Sequence, residues 1–222
     1  MNSESDFREA ICDAGRRMYA RNLVAATDGN LSARIGKDRY LCTRSGVALG
    51  DMHAADILIA DGNGNKLEGD GKLSSEFSTH LAAYEERPDI SVVVHAHPPK
   101  AVALTLAGFS MEDYALPELV VALGAVPTAP YATPGTKGGA EAVRELIRDC
   151  DALLLDRHGA LTVGDSVLDA YHKMEKIEHS AESLLAAHLL GKVQTLDDDQ
   201  MERLLKARAE YGLRGKFFKR ET

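Results

Sequence analysis

Cysteine is scarce in this chain and spaced so that it cannot form clusters. Cys12, Cys42 and Cys150 are odd in number, far apart and form no CxxC pair. That argues against a disulfide framework or a cysteine-based zinc site and fits a reducing cytoplasm. No apolar stretch approaches the roughly 18 residues that a membrane span needs. The polar start, Met1 to Asp6, does not read as a signal peptide. Basic residues are in deficit: 26 Lys and Arg stand against 34 Asp and Glu, a formal net charge of −8. Nucleic acid and anionic membrane surfaces are therefore poor partners. Familiar nucleotide signatures are missing too. Gly71-Lys72-Leu73 has no Ser or Thr where a P-loop needs one, and Gly62 and Gly64 do not continue as GxGxxG. There is no G-x-S-x-G elbow for a serine hydrolase.

The 222 residues are 45% apolar and 27% charged, an ordinary globular composition for a single α/β domain. Apolar spacing predicts helices over residues 6–22, 74–86, 117–124, 137–149, 165–190 and 197–211, with a short one after Pro98. Asp6 with Glu9 resembles a capping box for the first. Strands are expected at 31–35, 40–43, 57–60, 92–97, 126–129, 152–155 and 160–163. Strands and helices alternate without repeats or linkers, so helices should cover a central sheet.

Eight histidines are present, and their placement carries the functional signal. His95-Ala96-His97 ends a run of three valines and abuts Pro98-Pro99. Side chains two apart on a strand share a face, so both imidazoles can reach one ion. His158, followed by Gly159, lies between two apolar strands and is a third candidate. Glycine there permits close approach of another group. Glu76 opens a helix, where a carboxylate is favoured with or without further purpose. His80, one turn on, reads as a packed helix histidine. His172, Glu175 and His179, like His53 and His188, read as surface groups. Thr27-Asp28-Gly29-Asn30, Thr43-Arg44-Ser45-Gly46 and Ser74-Ser75 are small and polar. Each alone is a turn or cap; together they offer neutral donors for a phosphate.

These motifs occur in order with Ala129-Pro130-Tyr131-Ala132-Thr133-Pro134-Gly135-Thr136 and Arg157-His158-Gly159. As a set they resemble the class II aldolase/adducin-like family from Arg16 to Arg214. The resemblance implies one domain over 1–222, a three-layer α/β/α sandwich with a central, largely antiparallel sheet. It implies a homotetramer with active sites at subunit interfaces, and a helical tail from about 197 to 222 that reaches a neighbouring subunit. His95, His97 and His158 would hold Zn2+ or another divalent ion. Glu76 would be the acid/base and an occasional metal ligand. Gly29, Asn30, Ser45, Gly46, Ser74 and Ser75 would bind the substrate phosphate, with Arg44 able to add charge. Tyr211 would handle the proton on the aldehyde oxygen in the neighbouring site.

The implied reaction is reversible cleavage of a ketose 1-phosphate to dihydroxyacetone phosphate and an aldehyde through a metal-stabilised enediolate. L-fuculose 1-phosphate and 5-deoxy- or 5-methylthio-ribulose 1-phosphate are the candidate substrates. A second family tyrosine is absent at Leu116-Pro117-Glu118-Leu119, which leaves Glu118 or the nearby Tyr114 as replacements. Epimerase relatives carry Ser-Ser-Asp where this chain has Ser74-Ser75-Glu76, which favours aldolase. A 4-epimerase, dehydratase or decarboxylase of the family, and a non-catalytic adducin-like module, are the alternatives.

Overall fold

The valine-rich segment before His95 forms a central strand, and its neighbours set the positions of the polar loops. A computed structural model describes residues 3–113 and 115–211. Tyr114 and the part of the expected tail beyond Tyr211 lie outside the described residues. The chain runs α1 (Glu4–Ala20), β1 (Asn30–Gly36), β2 (Arg39–Thr43), β3 (Ile57–Ala60), β4 (Lys66–Glu68) and α2 (Phe77–Glu86). Then come β5 (Val92–Ala96), α3 (Pro99–Leu106), α4 (Pro117–Leu123), β6 (Thr128–Ala129) and α5 (Lys137–Ile147). It ends with β7 (Ala152–Leu155), β8 (Gly159–Gly164), α6 (Val167–Leu190) and α7 (Asp198–Glu210).

The strands form one sheet in the order β4-β3-β2-β1-β5-β8-β7-β6. Every pairing is antiparallel save β6 with β7. Alternation along each strand divides the core in two. Leu31, Ala33, Val92, Val94 and Ala160 pack with α1, α3, α4 and α6. Val93, Leu153, Leu161 and Val163 face the other way, onto α2 and α5. The result is the expected helix–sheet–helix layering.

Differences from the expected elements are local. The first helix starts earlier, at Ser3, whose hydroxyl and the Asp6 carboxylate form the capping box; Glu9 takes no part. A three-residue strand, β4, was too short and exposed to show in the hydropathy pattern. The second helix begins three residues late, so Glu76 is its N-cap residue without a side-chain cap bond. Its carboxylate is thereby left to point elsewhere. Cys12, Cys42 and Cys150 are all buried and unpaired with one another.

The far ends of α2 and α5 are tied by one guanidinium. Arg87, 2% exposed, donates to the Ile147 and Cys150 carbonyls at 3.2 and 2.8 Å and to Asp151 at 2.8 Å. Asp151 also accepts from Lys173 at 2.9 Å. Removing the guanidinium strands the two carbonyls and leaves the buried Asp151 with Lys173 alone among the described residues. Arg87→Met should destabilise the protein by about 3 kcal/mol, read as a lower midpoint in urea denaturation.

Candidate metal and substrate site

Central pairing aligns the first ligands. His95 is the penultimate residue of β5 and lies opposite Asn30 on one side and Leu161 on the other. It is 2% exposed, on the face covered by α2. Its Nδ1 donates to the Ala160 carbonyl at 2.9 Å, which leaves the Nε2 lone pair facing outward. His97 follows just beyond the strand and points the same way. His158 enters from the β7–β8 turn, where Arg157 takes a left-handed conformation with φ 58°. Gly159 then passes so near β5 that a Cβ there would lie 2.9 Å from His97 Cδ2 and 3.1 Å from His95 Cε1. Only glycine permits that approach.

Glu76, His95, His97 and His158 each bring one donor atom into a group spanning no more than 4.8 Å. His95 Nε2 lies 3.0 Å from His97 Nε2 and 3.1 Å from Glu76 Oε2. His158 Nε2 lies 3.3 Å from Glu76 Oε1. With His95 Nδ1 already a donor, lone pairs on these atoms face each other across hydrogen-bond distance. That arrangement is repulsive unless a cation sits among them, either a proton or a metal ion. Burial, together with the neighbouring His95, lowers the pKa of His158 to about 4 and lowers that of His97. Both stay neutral at physiological pH, the form that ligates. Burial opposes ionisation of Glu76, yet with a proton in the contact to His95 their hydrogen bond and charge outweigh it and bring the carboxyl to about 2. Three imidazoles and one carboxylate are a donor set suited to a divalent ion such as zinc.

Polar loops surround this group. Asn30 Nδ2 donates to Glu76 Oε2 at 3.3 Å. Gly29, with φ 77°, packs its Cα against Val24 and the His95 carbonyl, where a Cβ would clash. Leu31 N–H donates to Thr43 Oγ1 at 3.2 Å, and Ser45 N–H to the Lys72 carbonyl at 2.9 Å. Ser74 Oγ accepts from the Glu76 N–H at 3.3 Å. These bonds bring Asn30 and Ser74 onto Glu76 and tie the Ser45 turn to the segment that leads into Ser74. Ser45, Gly46 and Ser75 are exposed, so their donors are open to a ligand. Arg44, in the same turn, has its Nε held by Asp56 at 2.7 Å. On the other side a pocket is lined by Glu76, Pro130, Ala132, Pro134, Asp156 and His158. Gly135 packs against Ser75, so the Ala129–Thr136 motif forms its wall.

Two supporting contacts were not foreseen. Asp28 Oδ2 lies 3.5 Å from His97 Nδ1, the side of the ring away from the other donors. Buried Glu178 of α6 accepts from the backbone N–H groups of Lys100 and Ala101 at 3.0 and 3.1 Å. It caps α3 immediately after the histidine pair. Hydropathy patterns hold no trace of such long-range bonds. The remaining expectations sort plainly. His80 is buried. His53, His172 and His179 are exposed, while His188 is half-buried and stacks on Phe109 with centroids 3.8 Å apart. Tyr211 ends α7, which packs on α4, and is 73% exposed. Glu118 is exposed at the start of α4.

Known proteins share this fold. Residues 9–185 match the Class II Aldolase and Adducin N-terminal domain. The 5-deoxy-D-ribulose 1-phosphate aldolase of Bacillus thuringiensis serovar kurstaki is 34% identical over 208 residues, 92% of this chain and 96% of that protein. The 3-oxo-tetronate 4-phosphate decarboxylase of Cupriavidus necator is 35% identical over 185 residues, 82% of this chain and 84% of that one. A solved L-fuculose 1-phosphate aldolase superposes with a TM-score of 0.85 at 30% identity, covering 92% of this chain and 97% of its own. With most of its length matched by the family and by full-length relatives, the chain belongs to the class II aldolase and adducin family.

Proposed function

We propose that this protein is a metal-dependent aldolase that cleaves a ketose 1-phosphate reversibly to dihydroxyacetone phosphate and an aldehyde. The observation that carries the reading is the convergence of His95 Nε2, His97 Nε2 and the Glu76 carboxylate within 3.1 Å of His95, with His158 alongside. Cleaving the C3–C4 bond leaves an electron pair at C3, which needs an electrophile at the C2 oxygen. A zinc ion held by His95, His97 and His158 supplies that electrophile when bound.

The chain's own groups do the rest. Tyr211, acting in the site of a neighbouring subunit of a homotetramer, takes the proton from the C4 hydroxyl as the aldehyde forms. Glu76, a carboxylate at rest, takes up a proton in the substrate-bound site and passes it to C3, and the same two groups reverse their roles in synthesis. Proton loss at oxygen and gain at carbon balance. Ser45, Gly46, Ser74, Ser75, Gly29 and Asn30 hold the phosphate through hydroxyl, amide and backbone donors. Remote binding of that kind orients the reacting carbons. Relatives named as aldolases for 5-deoxy-D-ribulose 1-phosphate and L-fuculose 1-phosphate support the reading. They make the 5-deoxy, 5-methylthio and fuculose phosphates the first substrates to assay.

A second reading is favoured by the decarboxylase from Cupriavidus necator. Loss of carbon dioxide beside a ketone also leaves an electron pair that the same site would accept. Product analysis separates the two: dihydroxyacetone phosphate with an aldehyde supports the first, carbon dioxide from a 3-oxo acid phosphate the second. A 4-epimerase would yield an isomer, and a dehydratase would release water. A protein holding neither metal nor activity would be an adducin-like interaction module.

Three substitutions test the assignments. His95→Ala should remove bound zinc and retro-aldol activity together, measured by metal analysis and release of dihydroxyacetone phosphate. Full activity without metal would refute the model. Glu76→Gln should keep substrate binding and lose about a hundredfold or more in turnover; unchanged kcat would exclude the acid/base role. Tyr211→Phe should slow C–C cleavage more than solvent exchange of the C3 proton of dihydroxyacetone phosphate, followed by NMR. Equal losses would make the tyrosine structural.

A further inference from the structure

Among the described residues, two buried polar atoms near Glu76 have no protein partner: His80 Nε2 and Asn30 Oδ1. They belong to a ladder of side chains between α2 and β1. Asn30 and Ser32 share one face of β1, two residues apart, while Glu76 and His80 lie one turn apart at the start of α2. One rung is Asn30 Nδ2 to Glu76 Oε2 at 3.3 Å. The other is Ser32 Oγ to His80 Nδ1 at 2.7 Å, and Ser32 Oγ also meets the Tyr84 hydroxyl at 2.9 Å. Each rung contributes one of the two unpartnered atoms.

Donor arithmetic fixes the protons on the second rung. Ser32 Oγ is the acceptor available to the Tyr84 O–H among the described residues. The Ser32 O–H must then go to His80 Nδ1, so the imidazole proton sits on Nε2. The reverse order would strand the Tyr84 O–H as well as an Nε2 lone pair. Burial drives the His80 pKa down to about 3, so the ring stays neutral. The ladder thus presents one unmatched donor, Nε2–H, and one unmatched acceptor, Asn30 Oδ1. Leaving either bare is unfavourable, and one water within reach of both would satisfy them.

We propose that His80 is a positioning residue for the acid/base carboxylate, holding a buried water against Asn30 Oδ1 so that Asn30 Nδ2 faces Glu76. The Tyr84–Ser32–His80 chain sets the direction of the amide. Without it the amide is free to rotate, and Glu76 loses the bond that fixes Oε2. His80 touches neither substrate nor metal in this role. The kinetic consequence rests on the aldolase reading; the structural one does not.

The test has two arms. A crystal structure of the zinc-loaded protein at a resolution that shows ordered water should place one water within hydrogen-bond distance of both His80 Nε2 and Asn30 Oδ1. A dry gap, or a direct protein partner on Nε2, overturns the proposal. In the second arm, His80→Phe fills the space without a donor, whereas His80→Gln restores an N–H near the Nε2 position. For a ketose 1-phosphate that the wild type cleaves, His80→Phe should lower kcat about tenfold, more than it raises KM, with zinc content unchanged. His80→Gln should recover most of that loss. Equal loss in both variants, or a loss that follows zinc content or thermal stability, overturns the positioning role. Failure of the wild type to cleave any ketose 1-phosphate would defeat the aldolase reading instead, and the water arm then decides alone.

Discussion

The hydrogen bond from His95 Nδ1 to the Ala160 carbonyl governs the rest of the site. It spends the proton of one ring nitrogen inside the sheet and turns the other nitrogen toward His97 and Glu76. The bond exists because β5 and β8 pair with Ala96 opposite Ala160 and His95 opposite Leu161. A slip of one residue would carry His95 to the face packed by α1 and α6. Register, tautomer and ligand direction are therefore one constraint. Gly159 belongs to it, since any larger residue would force β8 away from the histidines.

Around that bond, each ligand comes from a different kind of local structure. His95 is held by a strand buried on both faces, His97 by the strand's end and the Glu178-capped helix after it, and His158 by a tight turn. Glu76 sits where α2 begins, at a position whose side chain takes no part in capping. Rigid elements fix three directions and a loop supplies the fourth. Such mixed support positions donors closely while leaving Ser45, Gly46 and Ser75 open to solvent.

Much of this was legible in the chain itself. Val92–Val94 followed by His-Ala-His gave a strand with two rings on one face, and Gly159 marked a close approach. The strand at 152–155 and the long helix near 165–190 followed from apolar spacing. Sheet order was not legible, because pairing between β1 and β5 joins residues some sixty positions apart and hydropathy carries no record of partners. The same reason hides Glu178 beneath α3 and Asp28 beside His97. Arg44 stands in a turn that suits an anion, and local sequence could not reveal that Asp56 engages its Nε. The capping box was displaced because Ser3 competes with Asp6 for the helix start, and a serine hydroxyl aimed at the Asp6 N–H wins.

The buried cysteines acquire a meaning beside such a centre. Burial pushes the thiols of Cys42 and Cys150 up to about 12 and raises that of Cys12 as well. At neutral pH a thiol near 12 is ionised in about one molecule in 10⁵, and only the thiolate binds metals or reacts with oxidants. The described part of the chain therefore presents ions with nitrogen and oxygen donors while keeping its sulfur silent. An incoming ion meets imidazoles and a carboxylate at the site, and mild oxidants find no thiolate among these cysteines.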